Sequence, residues 1–276
     1  MSIIERLHHG IDRLAELPPL ITLRRHRFDR LFESAPGHNL FRGVYSSFSD
    51  ALTACPPSKP SSYDTPAAAN MYADRRTRVY STDYPPMFWL LKLIEREACR
   101  VVLDIGGHVG VTYYAYSKYI DYPEELAWTV FDVPAVTRRG RELAAQEDAQ
   151  RKLRFSDSPE SESADVVLAY GSLQYMPGSA TDALQRLPRR PTHVLVNMLP
   201  VHERLGYFTV QDIGAAFCPY QIFAEPQLMR DFQAAGYRLV DRWENLEKHC
   251  TIQFAPEYSL DRYLGFYFVA EPLLRH

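Results

Sequence analysis

From residue 100 onward the chain alternates short apolar runs with helical stretches, and that alternation restricts it to few architectures. Residues 101–104, 127–132, 152–155, 164–169 and 193–197 read as strands. Between them, helices are expected over 111–119, from Pro134 to about Gln146, and over 181–187; proline suits a first helical position. Pro226 opens a further helix with the apolar stripe Leu228, Met229, Phe232 and Ala235, and Gly236 suits its left-handed stop. Residues 237–243 and 263–270 close the series as strands. Such alternation builds βαβ units with right-handed crossovers. The expected fold is α/β: a Rossmann-like, doubly wound, mainly parallel seven-stranded sheet with helices on both faces, plus an N-terminal helical cap segment.

Residues 1–86 have a different texture. Ile3, Leu7, Ile11 and Leu14 fall on one helical stripe, and Arg24, Arg25, Arg27 and Arg30 form a basic cluster. Glu5, Asp12, Glu16, Asp29 and Glu33 nearly cancel that charge, which favours a helix packed on its own protein over one lying on an anionic membrane. Residues 56–62, Pro-Pro-Ser-Lys-Pro-Ser-Ser, suit neither a helix nor a central strand and read as an exposed connector. The division expected is a cap segment over 1–86 and a main domain over 87–276.

Composition removes several function classes. The 276 residues carry 31 basic and 34 acidic side chains, so no basic excess points to nucleic acid. No apolar run approaches the roughly 18 residues needed to span a bilayer. The first ten residues lack the order of a secretory signal, and a cytoplasmic protein is expected. Cys55, Cys99, Cys218 and Cys250 are widely spaced, with no CxxC pair, and there is no HExxH, so reduced thiols and no metal are expected. Nothing in the pattern specifies an oligomeric state.

The segment from Asp104 to Gly110, Asp-Ile-Gly-Gly-His-Val-Gly, follows the first strand, where open α/β sheets bind ligands. Glycine lets the backbone turn sharply and approach a ligand. A GxGxxG frame starting at Gly106 would put His108 and Val111 at glycine positions, which disfavours a nicotinamide oxidoreductase. Asp104 would repel a pyrophosphate but suits a ligand with an ammonium. S-adenosylmethionine carries an ammonium, a carboxylate and a cationic sulfur. Asp132 ends the second strand, where a carboxylate can accept two ribose hydroxyls or cap the helix that begins at Pro134. His108 either covers the cofactor or points to solvent.

The stretches VVLDIGGHVG and TVFDVPAV resemble the class I S-adenosylmethionine-dependent methyltransferases, and FDVP is similar to the FDLP of the O-methyltransferase branch. That resemblance implies that Asp104, Gly106, Gly107 and Gly110 line the amino-acid end of the cofactor, with His108 among them, and that Asp132 holds the ribose. It places Ser156 and Asp157 beside the adenine, although Asp157 serves equally as a turn residue. It places Tyr170 and Gly171 beside the methyl-donor channel. A narrower resemblance, carried by Phe41–Tyr45, Gly171–Tyr175, Tyr207–Gln211 and Gly265–Phe268, is to a bacterial family of inferred methyltransferases often associated with surface-polysaccharide gene clusters.

Methyl transfer needs a nucleophile held in line with the activated methyl, and a hydroxyl nucleophile also benefits from a general base. In the plant-type O-methyltransferases the base is a histidine after the fourth strand; here the residues are Leu173-Gln174-Tyr175-Met176. Gln174 cannot take a proton, which leaves a non-catalytic binding module as the alternative. The candidates for acceptor chemistry are Gln174, Tyr175 and His202, with Glu203, His249 and Gln211 nearby in the pattern. Arg42, Arg75, Arg76 and Arg78, with Tyr80, either bind an acidic group of the acceptor or are solvated. The expected activity is S-adenosylmethionine-dependent methyl transfer to a small-molecule or saccharide acceptor, at oxygen.

Overall fold

A computed structural model describes residues 18–34, 39–97 and 99–272. Helix α1 (Pro18–Ser34) precedes strand β1 (Leu40–Tyr45), the short helices α2 (Phe48–Thr53) and α3 (Pro66–Ala69), and helix α4 (Tyr84–Arg96). The regular alternation follows as β2 (Val101–Ile105), α5 (Val111–Tyr116), β3 (Ala127–Phe131), α6 (Pro134–Glu147), β4 (Leu153–Ser156), β5 (Val166–Tyr170), α7 (Asp182–Gln185) and β6 (His193–Leu199). Then come β7 (Val201–His202), β8 (Tyr207–Asp212), β9 (Phe217–Ala224), α8 (Glu225–Ala234), β10 (Tyr237–Asn245) and β11 (Tyr263–Ala270). Proline in the first turn starts α4, α6 and α8, and Gly236, at φ +80°, follows the end of α8.

The main sheet has seven strands in the order β10-β11-β6-β5-β2-β3-β4. Its five central and flanking strands β2 to β6 run parallel, and β11 is antiparallel to both neighbours. The expected doubly wound α/β architecture is therefore present. Side-chain alternation divides it into two cores. Leu103, Ile105, Val167, Ala169, Val194 and Val196 pack with Leu184 of α7 and with Leu228 and Phe232 of α8. Val102, Val166, Leu168 and Leu195 face the other way, against Leu90 and Leu93 of α4 and Tyr113 and Tyr116 of α5.

A second sheet of four strands, in the order β1-β8-β9-β7, was not foreseen. Strand β1 pairs antiparallel with β8, from Leu40 opposite Asp212 to Tyr45 opposite Phe208. Within 1–86 the described residues hold the helices α1 to α3 and also a strand, β1, which joins an insertion between β6 and α8. The sheet closes on α1 through Phe32, whose ring lies 5.1 Å from Phe217 and carries the Arg42 guanidinium 4.6 Å from its centre. The connector over 56–62 is mostly exposed, as expected, and it is anchored at three points. Pro56 is buried, Pro60 accepts a hydrogen bond from the Phe217 amide, and the Lys59 ammonium lies 2.8 Å from Asp212. The expected stripe of Ile3, Leu7, Ile11 and Leu14 lies outside the described residues. No helix among the described residues is long and apolar enough to cross a membrane.

Candidate functional site

The chain leaves β2 toward β3 and β4 on one side, while β5 and β6 extend the sheet on the other. This switch point lies between β2 and β5, where a crevice opens beyond the strand ends. Two turns meet there. Gly106, at φ +72°, donates its amide to the Phe131 carbonyl at 2.7 Å, and the Ser172 hydroxyl donates to the Ile105 carbonyl at 2.5 Å. A methyl on Gly106 would stand 2.2 Å from the Ser172 Cβ, so glycine is required for the two turns to approach.

A cavity of about 770 Å³ fills this crevice and runs under the small sheet. Gly106, Gly107, His108, Asp132, Asp157, Tyr170, Gly171, Gln174 and Tyr175, all singled out in the sequence, line it. Asp104, Gly110, Ser156 and His202 do not.

Each of these four departures has a local cause. Asp104 shares the parity of Val102 and points into the α4–α5 core, where it is fully buried. Its Oδ2 accepts the Trp128 indole N–H at 3.3 Å, its Oδ1 has no partner, and burial pushes its carboxyl up to about 7. It lies directly beneath the glycine turn: a methyl on Gly107 would meet its carboxyl carbon at 2.4 Å. Asp104 therefore supports the turn and offers no surface to the cavity. Gly110, at φ +86°, packs toward Leu153. Ser156 donates its hydroxyl to the Ser158 carbonyl within its own turn. His202 is a loop staple: Nδ1 accepts from the Arg204 and Leu205 amides at 3.0 and 2.9 Å, so Nε2 carries the proton and donates to the Glu257 carbonyl.

Asp132 is half-buried and does open to the cavity. Its Oδ2 accepts the His108 amide at 2.9 Å and its Oδ1 the Val133 amide at 2.7 Å. Burial raises its carboxyl to about 6, against the pull of those two amides. It does not cap α6, whose capping residue is Val133 with no side-chain bond. Asp157 stands at the cavity margin with its carboxylate taken up by Thr137 at 2.8 Å and Arg141 at 3.0 Å; the Thr137 hydrogen bond, then Arg141, holds its carboxyl below the usual range.

His108 lines the cavity and does not point to solvent. Its backbone is left-handed, at φ +56°, and its buried ring turns toward the earlier segment. Nε2 is 3.0 Å from the Ala68 carbonyl, which can only accept, so Nε2 holds the proton and Nδ1 is a bare acceptor with no partner. Tyr72 and Tyr63 stand edge-on to the ring at 5.3 and 6.3 Å. Burial lowers the imidazole pKa.

The remaining lining comes from segments with no periodic signature. Tyr170 shares a 2.8 Å hydrogen bond with Thr82, and the neighbouring Asp83, whose carboxylate accepts the Tyr80 amide at 2.6 Å, lines the same part of the cavity. Burial raises the Asp83 carboxyl. Across the cavity, Tyr175 donates to Gln211 Oε1 at 2.7 Å, and Gln211 in turn donates to Asn39. The Tyr220 hydroxyl donates to Tyr263 at 2.9 Å, and Gln174, which lines the same cavity, has a buried Oε1 with no partner. Arg75 and Lys248 bring positive charge to the same space. Of the other arginines noted in the sequence, Arg42 pairs with Glu33 and Arg76 with Glu147. Sequence reasoning missed Asp83, Tyr63, Tyr72 and Lys248; only the tyrosine-rich character of residues 63–84 signalled a cover.

No family model matches the chain, and no curated protein matches it. Among solved structures, 1,6-didemethyltoxoflavin-N1-methyltransferase of Burkholderia thailandensis is 20% identical, with a TM-score of 0.44 over 68% of this chain and 77% of that one. The glycopeptide N-methyltransferase MtfA is 12% identical, with a TM-score of 0.47 over 75% of this chain and 99% of that one. Magnesium protoporphyrin IX methyltransferase from Synechocystis PCC 6803 is 11% identical, with a TM-score of 0.44 over 69% and 80%. Likenesses of this degree assign neither ligand nor activity, which must come from the cavity itself.

Proposed function

We propose that this chain is an S-adenosylmethionine-dependent methyltransferase acting on a small-molecule acceptor. The observation that carries the reading is Asp132. Its carboxylate is half-buried at the end of β3, fixed by two backbone amides, and opens on the crevice at the switch point. Each oxygen keeps acceptor capacity for a ribose hydroxyl. The neighbouring glycine turn lets the nucleoside approach the backbone. Asp83, rather than Asp104, is the carboxylate that faces the cavity beside Tyr170, and it is the residue we assign to the ammonium of the cofactor. Methyl-transferase structures with S-adenosylmethionine or S-adenosylhomocysteine bound stand among the similar folds.

The bound cofactor would supply an activated methyl group. The residues of the chain then hold the acceptor in line with it, which can provide much of the acceleration. Gln174 Oε1 is a free acceptor for a hydroxyl or amine hydrogen, and Tyr175, held by Gln211, fixes the adjoining wall. That wall contains no histidine or carboxylate among the described residues. For oxygen as the methylated atom, this favours a phenolic or enolic hydroxyl over a sugar alcohol, because the former ionises with little help. A saccharide acceptor rests on the sequence resemblance alone. The same absence of a base supports the second reading, a binding module without turnover.

Calorimetry with S-adenosylhomocysteine and NAD in parallel tests the cofactor. Binding of the first and silence with the second is expected; the reverse would overturn the reading. Transfer of labelled methyl from S-adenosylmethionine to phenolic and saccharide acceptors then separates enzyme from module.

A further inference from the structure

Arg75 and Lys248 reach the cavity from unrelated parts of the chain, one from the 3₁₀ turn at Ala73–Thr77 and one from the β10–β11 connection. Neither has a carboxylate within 4 Å among the described residues. The Arg75 guanidinium rests on ring faces, 4.9 Å from Tyr80 and 5.8 Å from Tyr72. Lys248 is half-buried, and its ammonium is destabilised first by that burial and then by the nearby charge of Arg75. The charge of Arg75 reaches Asp83 in the same cavity, but neither cation has a carboxylate in contact among the described residues, and two like charges so placed favour an anionic ligand.

The charge balance of the cavity indicates which ligand. Its charged lining residues are Arg75 and Lys248 on one side and Asp83 and Asp132 on the other, because Asp157 is already paired with Arg141 and His108 is neutral. The empty cavity is therefore balanced. S-adenosylmethionine, with an ammonium, a sulfonium and a single carboxylate, adds one net positive charge. A second ligand with one negative charge restores the balance. Lys248 lines the cavity together with Gln174, Tyr220 and Tyr263, and Cys250, two residues further on, packs with Tyr220 and Tyr263.

We infer that Arg75 and Lys248 form an anion subsite and that the acceptor is an acid, carrying a carboxylate or phosphate at one end. Its nucleophilic hydrogen-bond donor faces Gln174. Arginine supplies a planar fork and lysine a movable point charge, a pairing that suits either oxyanion. The inference rests on the methyltransferase reading for the identity of the other ligand.

The test titrates benzoate, inorganic phosphate and neutral benzamide into the S-adenosylhomocysteine complex of the wild type, Lys248→Gln, Arg75→Gln and Lys248→Arg, followed by NMR. Calorimetry gives the S-adenosylhomocysteine affinity of each variant, and circular dichroism checks its fold. Benzoate or phosphate should bind the wild-type complex, and the stronger of the two identifies the acid. Each Gln variant should weaken that anion at least tenfold, Lys248→Arg should restore most of it, and S-adenosylhomocysteine affinity should change less than threefold in Lys248→Gln. Three results would overturn the subsite. They are no anion binding to the wild-type complex, benzamide binding as well as benzoate, or a tenfold loss of S-adenosylhomocysteine affinity in Lys248→Gln, which would give the cations to the cofactor's own carboxylate. Failure of the wild type to bind S-adenosylhomocysteine would instead sink the methyltransferase reading; anion titration of the ligand-free protein would still report on the subsite.

Discussion

His108 donates its Nε2–H to the carbonyl oxygen of Ala68 across 3.0 Å, tying the glycine turn after β2 to a segment 40 residues earlier. The turn that would meet a nucleoside and the segment that covers it are thus joined through one imidazole. A residue at a position that favours glycine keeps a side chain because the side chain makes this connection.

Replacing His108 with glycine separates the two effects. The left-handed backbone is relieved, a gain of about 1 kcal/mol, and the hydrogen bond is lost at about the same cost. The buried ring's packing against Tyr63 and Tyr72 is lost as well, so global stability should fall by roughly 1–3 kcal/mol. Cleavage within residues 57–72 by a dilute protease should also accelerate, and S-adenosylhomocysteine should bind several-fold more weakly. An unchanged cleavage rate would show that the cover is held by other contacts.

Asp132 and Asp104 should respond in opposite ways. Asp132→Ala removes a carboxylate that faces the cavity and should weaken S-adenosylhomocysteine at least tenfold in calorimetry. Asp104→Asn should leave that affinity within threefold.

The stability of the Asp104→Asn variant should depend on pH with a defined sign. Burial raises the folded carboxyl from its ordinary 3.8 to about 7. Between those values the native state holds the proton that the unfolded chain releases. The wild type therefore loses stability as pH rises through the window, and the penalty is complete above it. Asparagine never ionises. Urea unfolding should give nearly equal stabilities for variant and wild type near pH 4, and an advantage for the variant on the order of a few kcal/mol near pH 8. A pH-independent difference would mean that Asp104 titrates normally.

Gly107→Ala places a methyl 2.4 Å from the Asp104 carboxyl carbon. The expected loss is about 1–3 kcal/mol of folding stability. In an Asp104→Ala background the loss should shrink, because the obstructing group is gone. Additive effects in that double-mutant cycle would contradict the contact.

His202→Ala removes three hydrogen bonds in one loop and should cost about 1–3 kcal/mol in denaturant unfolding. Cofactor affinity should not change. A loss of affinity would return His202 to the site.

The alternation of strands and helices after residue 100 was legible because each element repeats its apolar residues at its own period. The glycine turn and Asp132 were legible for a related reason, since both follow strand ends and strand ends define the crevice. The orientation of Asp104 was readable in principle: it shares parity with Val102, which faces the α4–α5 core. The small sheet was not readable. Its strand β1 finds its partner β8 more than 160 residues later, and neither stretch announces that pairing in its own sequence. Asp83, Tyr72 and Lys248 reach the cavity through such long-range folding, from segments that carry no period.

The ladder between β1 and β8 also bears on where this protein can be cut. A boundary drawn at the Pro-rich stretch near residue 86 would delete β1 and leave the outer amides and carbonyls of β8 without a mate. The truncated molecule would present a sticky margin to its neighbours in solution. A fragment of the apparent main domain should therefore clump on expression, although every element of its larger sheet is still encoded.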